Sequence, residues 1–402
     1  MRQKYLGEKG LVGLIAFLSA FVPLSTDLYL PALPGMARYF NATADLVNLT
    51  LILFFVFFAA GNLFWGPQSD KYGRRPVLLI SLSIYSLAGF LCAGSENIYH
   101  LIFFRIIQAI GGSGAFSVAT AIIKDVYDSK NRETILALVQ SMVLISPMAA
   151  PVIGAFLLSM TSWRGVFLIL GGIGLFAFAL SVAYEETARE RYTGTMRQAW
   201  GRLATVARNP GFAAMLMIFS LLSVSSLAFI ASSSYIYING FHESEQTYSY
   251  YFAFNALGMI CGPMLYLRLS RRFARKAIIM ASFCIIAFSG SFVALLGDLD
   301  PRVFALALLP STMMSSFVRT PGSNLMLEQQ EGDTGSAAAL MSCFGTFMGS
   351  VGMSIISYPW SDTIRALGVM NILTGSTCLV LWLLLSNKPF VKQIPDNRLK
   401  AA

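Results

Sequence analysis

Two charges stand where charges are costly. Arg105 interrupts the apolar run Leu101-Ile-Phe-Phe-Arg105-Ile-Ile-Gln108-Ala109-Ile-Gly111-Gly112, and Asp27 closes another, in Ser25-Thr-Asp27-Leu-Tyr-Leu-Pro31-Ala-Leu-Pro34. An ionisable side chain inside a hydrophobic span is expensive and by default functional. A carboxyl drawn out of water can carry a proton, because low-dielectric surroundings penalise its charged form. A guanidinium keeps its charge and can balance an anion or the ionised acid. Asp27 and Arg105 are therefore the expected proton-coupling residues, with Asp27 as the carrier. Each has a plainer alternative. Asp27 could be a wetted acid near the outer end of its helix, and Arg105 could snorkel outward.

A third constellation is Gly66-Pro-Gln-Ser-Asp70-Lys-Tyr-Gly73-Arg74-Arg75, read as a loop. Its glycines allow a tight turn and close approach of helices. Asp70 can pair with an arginine or sit at a helix N-terminus. Topology alone accounts for Lys71 and Arg75, but not for an acid in a positive loop. A fourth is Ala150-Pro151-Val-Ile-Gly154-Ala155, with Pro147 one turn earlier. Pro151 and Gly154 bend a membrane helix and let a neighbour pack closely, which generic packing explains nearly as well as function.

The elements that must hold these residues follow from composition. The 402 residues are 56% hydrophobic and 12% charged, where a soluble domain carries about 25% charge. The apolar runs each reach the ~20 residues that a bilayer core requires of a helix. Twelve spans are expected: 11–28, 46–65, 77–93, 98–119, 135–158 and 166–183, then 212–237, 248–266, 277–296, 303–325, 337–358 and 364–385. The chain divides into a six-helix half (1–184), a linker (185–210), a second six-helix half (211–387) and a tail (388–402). The linker carries Arg189, Arg191, Arg197, Arg202 and Arg208 and reads as an amphipathic helix on the membrane surface. The first span follows Arg2, Lys4 and Lys9 like a signal peptide, but Asp27, two prolines and many more spans follow, so it is read as retained.

The formal net charge is +9. Its placement argues against a nucleic-acid partner. With the N-terminus inside, 24 of the 29 Lys and Arg fall in inside segments, Arg319 counted among them. Arg38, Arg164, Arg302 and Arg365 fall outside. The positive-inside rule then puts both termini in the cytoplasm, with the charge against the anionic leaflet of the lipid bilayer. The cysteines (Cys92, Cys261, Cys284, Cys343, Cys378) lie in apolar runs with no C-x-x-C spacing, and His100 and His242 are far apart. No metal, cofactor or catalytic cluster is expected, so an enzyme is disfavoured, as is a receptor, for which no signalling domain is present. No Walker motif is present to couple ATP.

The segment Lys71-Tyr-Gly-Arg-Arg-Pro-Val-Leu-Leu recurs 201 residues later as Arg272-Phe-Ala-Arg-Lys-Ala-Ile-Ile-Met. A duplicated six-helix unit leaves this trace, and parallel repeats place a substrate site near the bilayer midplane. Gly66 to Arg75 matches G-x-x-x-D-x-x-G-[RK]-[RK], the signature of the major facilitator superfamily, in which it acts as a cytoplasmic latch. The second copy departs from it, with Leu267 and Arg271 in place of Gly66 and Asp70. L-x-x-x-R-x-x-Q at Arg105 resembles the superfamily's fourth-helix motif, with Ala109 for the usual glycine. The Pro151–Gly154 segment sits where its antiporters carry G-P-x-x-G-G.

D-x-Y-L-P-x-L-P at Asp27, Ser162-Trp163-Arg164, Ser232-Ser-Ser-Tyr235-Ile-Tyr237, Phe252-Ala-Phe-Asn255 and Gly335-Ser-Ala-Ala-Ala-Leu340 resemble the bicyclomycin/chloramphenicol-resistance family of drug:proton antiporters. The resemblance implies an all-α membrane fold of two pseudo-symmetric six-helix bundles, monomeric, in a bacterial inner membrane. It implies proton-driven efflux of small, largely apolar drugs. It also implies a gate at Gly66, Asp70, Gly73 and Arg74, and a cavity lined by residues such as Tyr235, Tyr237, Asn255 and Gln140. The alternative is a permease, for efflux or uptake, of a metabolite such as a sugar, amino acid or polyamine; a sugar site would call for more buried polar residues than these spans hold.

Overall fold

Apolar runs in a bilayer can satisfy their backbone only by folding into helices, because no water is there to do it. The computed structural model describes residues 5–127, 129–188, 196–330 and 334–392, and the described chain is helical with no strand. It divides into two compact units, Met1–Met196 and Arg197–Ala402. The first holds α1 (Gly7–Ser19), α2 (Phe21–Asp27), a 3₁₀ turn (Leu30–Ala32), α3 (Leu33–Tyr39), α4 (Ala44–Tyr72), α5 (Arg74–Ala93), α6 (Ile98–Val126), α7 (Ser129–Met160) and α8 (Trp163–Val182). Helix α9 (Met196–Ala207) follows. The second unit continues with α10 (Pro210–Ser234), a π-helical turn (Tyr235–Gly240), α11 (Glu245–Leu269), α12 (Arg275–Leu296), α13 (Pro301–Glu328), α14 (Thr334–Ser357) and α15 (Thr363–Leu385).

Ten of these helices are long and apolar enough to cross a membrane, and the bent pair at the start makes an eleventh. Helix α7, whose part Ile145–Met160 is apolar, completes the first six. Each unit closes on its own apolar core. One gathers Leu18, Phe21, Tyr85, Val118 and Ala177; the other gathers Phe219, Phe283, Phe317 and Trp382.

The first segment differs from its expected bounds. It does not end at Leu28 but bends by 43° between Ser19 and Pro23 and runs on to Tyr39. Pro31 and Pro34 do not stop it, because each lies at the start of a new helical turn, where a missing N–H costs nothing. Asp27 consequently sits at a break within the segment rather than near its outer end. Gly66 and Asp70 are likewise not in a loop. Helix α4 runs to Tyr72 and α5 starts at Arg74, leaving Gly73 alone between them at φ 104°. Arg319 lies well inside α13 and not in a cytoplasmic segment.

Glycines set the closest helix approaches. A methyl on Gly111 would meet the Tyr85 backbone 2.5 Å away, and one on Gly262 the Met313 carbonyl at 2.7 Å, so α6 lies on α5, and α13 on α11, backbone to backbone. Small residues that let helices touch are the expected device where lipid gives no hydrophobic drive to association.

Candidate functional site

Arg105 is fully buried two turns into α6. Three rings surround its guanidinium carbon: Phe54 of α4 at 4.1 Å, Tyr29 at 4.6 Å and Phe167 of α8 at 5.7 Å. Its nitrogens donate to Gln108 Oε1 at 2.7 Å, to the Thr50 carbonyl at 3.4 Å and to the Tyr29 hydroxyl at 3.4 Å. The charge is thus held by ring quadrupoles and neutral acceptors. Such contacts reach about 2 kcal/mol each when desolvated. It does not snorkel, and no ion pair joins it to Asp27.

Asp27 ends α2 and is 4% exposed. The Thr26 hydroxyl donates to its Oδ1 at 3.0 Å. Two residues on, Tyr29 bonds Thr50 Oγ1 at 3.1 Å as well as Arg105, so the acid and the cation are linked through the intervening turn. Helix α7 packs directly on this turn. A methyl on Gly154 would overlap the Leu28 carbonyl oxygen, and Pro151 is buried one turn before it. The motif read as helix-bending therefore has a specific neighbour, the residue after Asp27. Phe54 was not singled out in the sequence, and Tyr29 entered only as the tyrosine of D-x-Y-L-P-x-L-P, since aromatic residues in apolar runs are ordinarily core.

The motif at the α4–α5 junction closes on acids that sequence reading passed over. Arg74 donates to Asp70 Oδ1 at 2.5 Å, to Ser69 Oγ at 2.8 Å and to Asp125, at the end of α6, at 2.7 and 3.3 Å. Glu186 accepts from the backbone N–H of Arg74 at 2.9 Å and of Arg75 at 3.0 Å, capping α5 with a negative charge. A side chain on Gly73 would strike that carboxylate. Asp70 stays nearly half exposed, at 47% of its side chain. Around Gly66 a methyl would meet nothing, so close approach does not explain that glycine within its unit. The signal for Asp125 and Glu186 was the one used for Asp70, an acid among inside basic residues.

The duplication reappears in these contacts. At the same offset of 201 residues, Arg275 opens α12 and pairs with Glu328 at the end of α13, at 3.1 Å. Its neighbour Lys276 donates to Asn387 at 2.7 Å, as Arg75 bonds Glu186 through its backbone. The sequence repeat is a repeated way of tying the third helix of each unit to the fourth and to the segment after the sixth.

In the second unit, Tyr237 lies fully buried in the π-helical turn, stacked on Tyr251 at 4.9 Å and flanked by Tyr248, Phe241 and Phe304. Its hydroxyl and Asn255 Oδ1 are buried without a hydrogen-bond partner among the described residues. Tyr235 is partly buried beside them in sequence. Gln140 lies outside the residues whose side chains are described. Among the described residues no three His, Cys, Asp or Glu gather into a metal-binding group.

The helices and their charged junctions define a multi-pass membrane transporter. Residues 15–353 match the Major Facilitator Superfamily, and the chain belongs to it. It is 26% identical over 386 residues to a chloramphenicol resistance protein of Pseudomonas aeruginosa, covering 92% of this chain and 91% of the relative. It is 24% identical over 385 residues to a bicyclomycin resistance protein homolog of Haemophilus influenzae, covering 91% and 92%. A solved bacterial homolog to the human lysosomal transporter Spinster superposes with a TM-score of 0.75 over 94% of this chain and 96% of that one. At 13% identity that likeness concerns the fold alone.

The ring cage makes a specific prediction. Arg105→Lys keeps the charge but loses the planar fork and its stacking, so transport should fall by about tenfold or more. Measured in proteoliposomes at matched protein, activity near that of the parent would mean that only the charge matters.

Proposed function

We propose that this chain exports small, largely apolar drugs in exchange for protons, by alternating access, across a bacterial inner membrane with both termini in the cytoplasm. The observation that carries the reading is the Asp27 carboxyl, buried at a break in the first membrane segment with one hydroxyl on it and no cation among the described residues. Protonated, such a group is cheap to bury. Ionised, it is costly until a solvating group or a cation arrives. That difference couples two events. Facing the acidic outer side, Asp27 takes a proton as drug leaves. Facing the cytoplasm, drug binding and proton loss favour each other. Arg105, fixed in its cage, supplies a constant positive field that makes the ionised state reachable. The Gly154 contact lets a movement of α7 reach the Asp27 turn without any side chain between them.

The names of the two relatives, resistance proteins for chloramphenicol and bicyclomycin, support the drug class. Tyr235, Tyr237, Asn255 and Gln140 are proposed substrate contacts. Of these, Tyr237 and Asn255 hold buried polar atoms that a drug's polar group or a water could satisfy. Gly66, Asp70, Gly73 and Arg74 are proposed as the cytoplasmic gate.

Two variants test this reading. Asp27→Asn fixes the site in its protonated likeness. In everted vesicles it should abolish chloramphenicol uptake driven by a pH gradient, while exchange of labelled for unlabelled chloramphenicol persists. Gradient-driven uptake by the variant would remove Asp27 from the coupling. Asp70→Asn should slow turnover sharply and leave chloramphenicol affinity within a few-fold. Normal turnover would reduce the junction to a topology signal.

A further inference from the structure

Arg319 is the second cation inside a membrane helix, and it is placed unlike the first. It lies nine residues before the end of α13, Glu328, which at 1.5 Å per residue is roughly 14 Å along the axis and within the hydrocarbon depth of a helix this long. Arg105 is buried in rings, whereas Arg319 is exposed and has no hydrogen bond, ion pair or ring contact with any described residue. The described acids of its unit, Glu243, Glu245, Asp298, Asp300, Glu328 and Asp362, all stand at or beyond helix ends. Glu328 is already occupied by Arg275.

The face that carries Arg319 is not a lipid face. Thr312, Ser315, Ser316 and Ser323 lie seven, four and three residues before it and four after it, so a helical period puts all of them on its side. Pro310 is nine residues away, about two and a half turns, and so on the opposite side. There Leu306 and Pro310 join Phe288 and Phe292 of α12 in an apolar groove, the surface that suits acyl chains. The polar stripe lies between two packed flanks. Ser316 donates to the Met259 carbonyl of α11 at 2.7 Å. A methyl on Gly322 would strike the Phe219 ring of α10. Arg319 therefore emerges between the α10 and α11 sides of α13, open to solvent, among small hydroxyl residues.

We propose that Arg319 binds an anionic group of transported compounds that carry one, so that amphiphiles with an apolar body and a carboxylate, phenolate or similar anion are preferred over cationic ones of the same shape. This rests on the export reading above and narrows its substrate class. An unpaired guanidinium at this depth is expensive unless an anion reaches it, and its planar fork is shaped for a two-oxygen acceptor. Ser315 and Ser323 add hydroxyls that can complete the shell, while Thr312 and Ser316 donate to the Leu309 and Met259 carbonyls and leave room by their small size.

The test uses two dyes that share a xanthene ring and differ in charge, fluorescein as the dianion at pH 8 and rhodamine 123 as the cation. Anisotropy titrations with the purified full chain in a neutral detergent read affinity without requiring transport. Fluorescein should bind at least about tenfold more tightly than rhodamine 123, the scale of one charge-assisted bond. Arg319→Gln should erase that preference, and Arg319→Lys should keep part of it. Equal binding of both dyes, preference for rhodamine 123, or an unchanged preference in the glutamine variant would overturn the proposal. If the variants do not fold, the comparison of the two dyes on the parent protein decides alone. Displacement of fluorescein by phosphatidylglycerol in the same micelles would assign the guanidinium to a lipid headgroup and overturn it as well. Fluorescein binding without any pH-driven uptake in everted vesicles would contradict proton-coupled export and leave the anion site standing. Drug export without charge preference would do the reverse.

Discussion

The hydrocarbon core of a bilayer offers no water to a polar group, and the buried hydroxyls and Arg105 of this fold are bonded accordingly. Serine and threonine hydroxyls turn back on the carbonyls of their own helices, as Ser19 does on Ile15, Ser181 on Ala177 and Ser282 on Ile278. Ser86 and Ser289 instead cross to a neighbour, bonding the carbonyls of Gly171 and Ala307. Arg105 cannot be neutralised, so it is wrapped in aromatic faces and neutral acceptors. A ring cage holds a cation without cancelling its charge. An ion pair with Asp27 would have held the acid in its charged form. On the proposed mechanism the cage separates two tasks, keeping a field in place and leaving the acid open to titration.

At the membrane surface the same charges behave differently, because water and helix ends are available. The Arg74 junction combines a side-chain pair, a second acid from α6 and a carboxylate cap on α5, with Gly73 holding a backbone angle that a side chain would strain. Exposed ion pairs contribute little singly, and a partly buried network of this kind contributes more. Its counterpart at Arg275 keeps the pair and loses the half-exposed acid, since Arg271 stands in the place of Asp70. Both units have the tie at the start of the third helix, and the first also has a half-exposed acid there.

Much of this was legible in the sequence because the bilayer imposes a length and a composition on every span. Asp27, Arg105 and the Gly66–Arg75 signature were found for the same reason, as charges or glycines out of place. Three things were not legible. Helices α4, α6 and α13 continue past their apolar stretches, since a charged turn leaves the hydropathy pattern but not the helix. That continuation drew Gly66 and Asp70 out of the expected loop, and Arg319, counted with the inside charges, lies within the expected span 303–325. Pro31 and Pro34, at the first positions of a turn, permit continuation past the expected end at 28, which moved Asp27 inward. The partners of each charge, Phe54 and Phe167 on Arg105 or Asp125 and Glu186 on the α5 end, are set by helix packing across 50 residues or more and leave no local pattern.

The central claim is that one buried carboxyl exchanges its proton for drug. Proton release on adding chloramphenicol to the purified protein, in weakly buffered detergent with a pH indicator, measures this directly. The account predicts release of about one proton per bound drug, the difference between the two states of a single carboxyl, and none from the Asp27→Asn variant. Release from that variant at the parent's level would contradict it, and the proton would have to be assigned to another group.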